Sequence, residues 1–193
     1  HLYMAIEGKL AAVICIEDPL RDEAVEVIRE LREAGLSKIV MMTGDSERTA
    51  KAIAKRVGVD EYYAEVLPED KAGFCEKEKA AGRKVIMIGD GINDSPALSA
   101  ADVGIAISDG AEIAREIADV TIGADNLYEI VTLKAISNGL MKRIHKNYRS
   151  IILINAGLIA LGVTGIIQPT TSALLHNTST LVIGLKSMQN LID

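Results

Sequence analysis

Aromatic residues make up only 3% of this 193-residue chain, tryptophan is absent and there are two cysteines. Cys15 and Cys75 are far apart in sequence with no Cys or His close to either, which argues against a disulfide scaffold and a zinc site and for a reduced cytosolic pair. Positive charge is in short supply as well. The 21 Lys and Arg face 27 Asp and Glu, and a net charge of −6 argues against general nucleic-acid binding. No basic-then-apolar leader opens the chain, which begins at His1 directly on strand-like sequence and is expected to be the cut end of a longer protein. The sharpest deficit is of charge near the C-terminus. Of all the formally charged side chains only Lys186 and Asp193 follow Arg149. What is present, 49% apolar and 25% charged residues, excludes a disordered or collagen-like chain and describes a charged domain joined to an apolar tail.

Within residues 1–149, apolar positions switch repeatedly between strand and helix spacing. Residues 2–6 and 9–16 flank Glu7-Gly8 and predict a β-hairpin. Asp18-Pro19 then starts a helix that carries Ala24, Val27, Ile28 and Leu31 at helical spacing and is stopped by Gly35. Its acidic run, Glu23, Glu26, Glu30 and Glu33, reads as a solvated face. Strands at 38–42, 61–64, 84–88, 103–107 and 119–122 alternate with helices at 46–57, 69–81, 95–100, 111–117 and 126–138. This alternation predicts an α/β fold, a Rossmann-like parallel sheet with helices on both faces, in a domain large enough to bury a core. Met41, Met42 and Met87 fall on buried strands and are expected in that core, not as copper ligands.

Residues 150–193 follow a different pattern. Ile151 to Ile167 is an unbroken run without a formal charge, and after Gln168-Pro169 a weakly polar stretch runs to Ile192, interrupted only by Lys186. The expectation is a two-helix transmembrane hairpin in a cell membrane, with a short turn at Gln168-Pro169. Lys142, Arg143, His145, Lys146 and Arg149 crowd its approach. The positive-inside rule then puts residues 1–149 and the C-terminus in the cytosol and makes the lipid bilayer a partner. The other reading is a pair of core helices in a soluble protein.

Two predicted strands run into acidic loops, Thr43-Gly44-Asp45 and Gly89-Asp90-Gly91-Ile92-Asn93-Asp94. Open parallel sheets bind ligands beyond the carboxyl ends of their strands, where both loops would lie. Asp90 and Asp94 are four apart across a glycine turn, so two carboxylates and the Asn93 amide can converge on one hard cation. Magnesium suits such oxygen donors and brings phosphate with it. A lone Gly-Asp-Gly is commonly only a turn, but the whole segment Gly89 to Leu98 is far more specific.

That segment, Gly-Asp-Gly-Ile-Asn-Asp-Ser-Pro-Ala-Leu, resembles the hinge motif of P-type ATPases, within the haloacid-dehalogenase-like superfamily. Thr43-Gly44-Asp45 resembles the Thr-Gly-Asp motif of the same phosphorylation domain. Lys71 in Pro68-Glu69-Asp70-Lys71 resembles its phosphate-binding lysine, and Glu17-Asp18-Pro19-Leu20-Arg21 the segment by which the chain re-enters that domain. The likeness covers essentially the whole chain. Ala101 to Ile107 and a tail of only two membrane segments are most similar to heavy-metal-translocating pumps. The resemblance implies ATP as substrate and Mg2+ as cofactor. In that reading Asp90 is a direct magnesium ligand, Asp94 and Asn93 are further ligands or orienters, and Gly91 belongs to the hinge backbone. Lys71 is a point charge on the phosphoryl oxygens, Thr43 and Gly44 donate hydrogen bonds to them, and Asp45 positions Lys71 or the nucleotide.

No Asp-Lys-Thr-Gly-Thr occurs in the chain, so the aspartate that accepts the phosphoryl group in this family is missing. Most of a nucleotide-binding domain, the actuator domain and the upstream membrane helix with its metal ligands are missing too. Residues 1–149 are therefore expected to be a phosphorylation domain without its nucleophile strand, unable to turn over ATP without the remaining N-terminal part of a pump. In the second apolar segment His176, Asn177 and Thr180, with Thr178, Ser179 and Met188, form a polar cluster that suits a transported transition-metal ion. The blander reading has the hydroxyls bonded to their own helix and His176 near the outer interface. Lys186 is expected to snorkel. Two other functions stay open: a membrane-tethered phosphatase of the same superfamily, and a non-catalytic truncated module that regulates a partner pump.

Overall fold

The computed structural model describes residues 2–14, 20–90, 93–107, 116–123 and 126–191, in two compact units, His1–Leu127 and Tyr128–Asp193. Cys15, Glu17-Asp18-Pro19, Gly91 and most of the helix expected at 111–117 lie outside the described residues.

The first unit opens with β1 (Leu2–Ile6) and β2 (Lys9–Ile14), paired antiparallel about Glu7-Gly8. There follow α1 (Ala24–Glu33), β3 (Val40–Met42), α2 (Glu47–Val57), β4 (Glu61–Tyr63), α3 (Pro68–Ala80), β5 (Ile86–Gly89), α4 (Ser95–Ala100), β6 (Val103–Ile107) and β7 (Val120–Ile122). The helices are made by their apolar spacing. Val27 and Leu31 are the buried side chains of α1, and Ala50, Ala54 and Val57 those of α2. Pro68 opens α3, where its missing N–H costs nothing, and the Asp70 carboxylate accepts a hydrogen bond from Leu67 N at 3.3 Å.

The strands pair in parallel as expected, but in two pieces: β3 with β4, and β5 with β6 and β7. Among the described residues no backbone ladder joins β3 to β5. Both nevertheless feed one core, in which Met42 packs against a cluster of Cys75, Met87, Ala97, Leu98, Ala101 and Ala106. Of the three methionines expected inside, Met87 is buried, whereas Met41 and Met42 are only half-buried.

The second unit is α5 (Tyr128–Val163, 36 residues) and α6 (Pro169–Ser187, 19 residues). The helix expected to end near 138 runs on without a break into the uncharged segment. The expectation of membrane-crossing helices is corrected here: among the described residues no helix is long and apolar enough to cross a membrane. The first reason is length. Gly165, at φ +74°, closes α5 through Gly165 N to Gly162 O at 3.0 Å and Ile166 N to Leu161 O at 3.0 Å. The uncharged part of the helix, 151–163, is then about 20 Å long at ~1.5 Å per residue, against a hydrocarbon layer of about 30 Å. The second reason is composition, since α6 carries Thr170, Thr171, Ser172, His176, Asn177, Thr178, Ser179, Thr180 and Lys186.

The two helices are joined by polar contacts. The Arg143 guanidinium donates to the Ser187 carbonyl at 2.8 Å, to that of Asn190 at 2.6 Å and to that of Gln189, all carbonyls at the end of α6 that lack helical partners. Asn147 Nδ2 donates to Ser187 Oγ at 2.7 Å, and Leu191 lies against Gly139. Gly139, Arg143 and Asn147 follow at steps of four, which places them on one face of α5.

In the first unit the start of β5 is tied down by Asp102, which accepts Val85 N at 3.0 Å and Lys84 Nζ at 2.8 Å. The Lys84 bond, then the Val85 N–H, holds its carboxyl below the ordinary range. A depressed folded value means stability that is present above the ordinary carboxylate range and lost as pH falls through the lowered one. Asp102→Asn should therefore lower Tm at pH 7, with the difference closing in acid below that range. An equal Tm deficit at both pH values would exclude the ionised carboxylate as the cause.

Candidate functional site

The loops after β3 and β5 hold the residues singled out from the sequence. After β3, Thr43 Oγ1 donates to Asp45 Oδ2 at 2.8 Å and accepts Asp45 N at 3.1 Å, a closed two-residue turn. Val66 N donates to Thr43 O at 3.0 Å and Glu65 N to Asp45 O at 2.9 Å, so the chain entering α3 is bonded to this loop. Asp45 thus holds its own turn and makes no bond to Lys71.

Lys71 bonds instead to the second loop. Its Nζ lies 2.7 Å from Asp94 Oδ1, and both side chains are largely covered, 16% and 12% exposed. Asp94 caps α4, its carbonyl accepting Leu98 N at 2.9 Å, while the carboxylate presses on the end of β5. A Cβ built on Gly89 would overlap Asp94 Oδ2 and stand 2.6 Å from Asp94 Cβ, so only glycine leaves room for the carboxylate. Asn93 N donates to Asp90 Oδ1 at 3.3 Å, turning the loop back on the strand. The four-residue spacing does not bring Asp90 and Asp94 onto equal terms: one is exposed and bonded within its loop, the other buried and paired with Lys71.

Two carboxylates and an amide at a strand's carboxyl end are hard oxygen donors. Among the described residues no three His, Cys, Asp or Glu side chains gather about one point. A cation held here therefore takes at most two carboxylates and completes its shell with water or phosphate oxygens, which fits magnesium and not a soft transition metal. Cys75, one turn beyond Lys71 on α3, is buried in the core and burial pushes its thiol pKa up, so it is an inert packing group.

In the second unit His176 Nδ1 lies 2.8 Å from Asn155 Oδ1, joining α6 to α5. The hydroxyls of Ser179 and Thr180 donate to the His176 carbonyl at 2.8 and 3.0 Å, as the bland reading expects. Thr180 is thus turned to the helix backbone, and no contact gathers Asn177 onto the imidazole. Asn155 was missed in the sequence. Its signal was an amide within an otherwise apolar, uncharged helix run, where a polar side chain needs a partner.

A family model of haloacid dehalogenase-like hydrolases matches residues 2–102, and the chain belongs to that family. It is 40% identical over 183 residues to a zinc-exporting P-type ATPase of Mycobacterium marinum, covering 94% of this chain and 25% of the relative. It is 45% identical over 174 residues to copper-transporting ATPase 2 of Rhizobium meliloti, covering 90% and 21%. Among solved structures, one of a zinc-transporting PIB-type ATPase superposes with a TM-score of 0.76 at 31% identity, over 97% of this chain and 30% of that one. The chain thus spans a fifth to a quarter of the length of the curated relatives it matches.

Gly89→Ala should drive Asp94 from its seat, at a cost of about 1–3 kcal/mol by chemical denaturation. Freed from its pair, Lys71 should become more readily acetylated. Wild-type stability and Lys71 reactivity would show that the loop moves aside without loss.

Proposed function

We propose that the chain supplies the phosphate- and magnesium-binding loops and the last two helices of an ATP-driven transition-metal pump of the P-type class. The observation that carries this reading is the covered Lys71–Asp94 pair, which joins two motifs well separated in sequence behind a glycine that admits no other side chain. Lys71 places one ammonium where phosphoryl oxygens arrive, and Asp94 holds that ammonium in position until they do. The Gly44 N–H stands at the carboxyl end of β3 as a further donor, and Thr43 Oγ1 joins it when its hydrogen turns from Asp45 to the phosphoryl group. Asp90, with Asn93 beside it, is the exposed carboxylate that takes the cation. Magnesium bound there neutralises phosphoryl charge, the main requirement of phosphoryl transfer.

The accepting aspartate comes from outside the chain, on a strand seated between β3 and β5. Support for this is the break in the sheet and the lack of Asp-Lys-Thr-Gly-Thr in the sequence. By this reading residues 1–149 work in the cytosol, and other parts of the complete pump, which sits in the cell membrane, cover α5 and α6. The cargo is a transition-metal ion, and the Asn155–His176 pair is its contact in this chain. An amide oxygen can only accept, so Nδ1 carries the hydrogen and Nε2 keeps a lone pair for metal. The relatives named for zinc and for copper leave the choice of metal open.

In the complete protein, Lys71→Ala should reduce phosphoenzyme formation from ATP on the order of 10²-fold or more. Unchanged phosphorylation would reduce Lys71 to a surface ion pair. His176→Ala should abolish metal stimulation of ATP hydrolysis and leave phosphorylation by inorganic phosphate intact. Metal-stimulated turnover equal to wild type would remove His176 from the transport path.

A further inference from the structure

The cations on α5 divide by face. Arg143 turns to the end of α6 and is committed to three carbonyls. Lys142, His145, Lys146 and Arg149, at i, i+3, i+4 and i+7, line another side, a shallow open concavity of about 540 Å3 completed by Ser150 and Leu153. Among the described residues Lys142, Lys146 and Arg149 form no ion pair, and Glu129, some three turns before Lys142, is the only described carboxylate of this unit. His145 Nδ1 is bonded to the Met141 carbonyl at 2.8 Å, leaving Nε2 outward. Like charges one helical turn apart repel, so this face gains from an anion. The concavity continues into a second of about 510 Å3, where His145 and Arg149 meet Tyr148, Ile152 and Leu153. Those three apolar side chains are 64%, 47% and 72% exposed.

From this juxtaposition we infer that the face is a binding surface for an anionic phospholipid, with the headgroup phosphate on Lys142, Lys146 and Arg149 and an acyl chain along Tyr148, Ile152 and Leu153. A free phosphate or nucleotide makes no use of the apolar continuation, and an acidic peptide makes little. The surface lies where the cation cluster passes into the uncharged helix, so one molecule meets both halves. The inference rests on the proposed membrane pump and adds a lipid to its requirements.

The test uses the complete protein in nanodiscs of phosphatidylcholine alone and of phosphatidylcholine mixed with phosphatidylglycerol. The lipid retained after mild detergent extraction is read by native mass spectrometry, and metal-dependent ATP hydrolysis is measured alongside. Wild type should retain phosphatidylglycerol preferentially, weakly at high salt, and hydrolyse ATP several-fold faster in the mixed discs. Lys142→Gln, Lys146→Gln and Arg149→Gln should each lower retention roughly fivefold, and the triple variant should lose the stimulation while keeping its turnover in phosphatidylcholine. Lys142→Arg and Lys146→Arg should retain both. Equal enrichment in wild type and the triple variant overturns the inference, as does displacement of the lipid by inorganic phosphate at matched ionic strength. If no metal-dependent turnover occurs in either lipid, the pump reading fails, while the retained lipid still decides whether the surface exists.

Discussion

The covered pair of Lys71 and Asp94 is the contact on which the rest of the first unit is arranged. A lysine and an aspartate both shielded from water are tolerable only together, because removing either strands the other charge in a poorly solvated place. Each stands on a short rigid element over the same core. Cys75 lies one turn after Lys71 on α3, and Ala97 and Leu98 lie on α4 just after Asp94, all in one cluster with Met87 of β5. The two loops are thereby fixed to each other through packing as well as through charge. The pair is also neutral, so it holds the ammonium still without leaving an unbalanced positive charge on the surface. In the proposed function a dianionic phosphoryl group and a divalent cation would exchange one neutral arrangement for another, with no rebuilding of the core beneath.

Much of this was legible locally, and the limits of legibility follow the distance between partners. Strand ends, helix stops and the two acidic loops are set by residues within a turn of each other, so Gly35, which follows α1 at φ +101°, and the Gly89 to Leu98 segment announced themselves. The spacing of Asp90 and Asp94 suggested two carboxylates converging on one cation, yet side chains four apart in a turn diverge once one of them has an outside partner. That partner, Lys71, lies on a different helix, and the meeting depends on how α3 packs on α4, which no local pattern encodes. Asn155 and His176, on separate helices, illustrate the same limit. Arg143 illustrates another: in composition it is one more member of a basic flank, but its position on the face shared with Gly139 and Asn147 turns it to the end of α6. A count of charges has no direction, whereas a helix does.

The tail shows why absence of formal charge is a weaker criterion than it looks. The uncharged run from Ile151 to Ile167 is long enough to suggest a crossing, but a helix crosses by its own length, and α5 ends at Val163, before the run does. In α6 the hydroxyls, amide and imidazole are uncharged and still polar enough to make its transfer into hydrocarbon far less favourable than that of an aliphatic span. Of these, Ser179, Thr180 and Ser187 bond to the backbone of their own helix, and His176 and Ser187 bond across to α5, as polar groups do where helices meet other protein.

The break between β3 and β5 carries the last step. Parallel strands are normally covered on both edges and both faces, and an uncovered edge exposes a row of backbone donors and acceptors. Among the described residues β3 and β5, the two strands whose loops hold Thr43 and Asp90, each have one unpaired edge, and Ile86 at the start of β5 is 41% exposed. Met42 reaches the core cluster of β5 although no ladder joins the two backbones. A strand inserted there would cover both edges at once and deliver its own carboxyl-terminal residue between the Thr43 loop and the Lys71–Asp94 pair. In the proposed pump the physical demand of the sheet and the chemical demand of the site would be met by one and the same strand. That coincidence is the reason for reading the chain as one part of a larger catalytic machine.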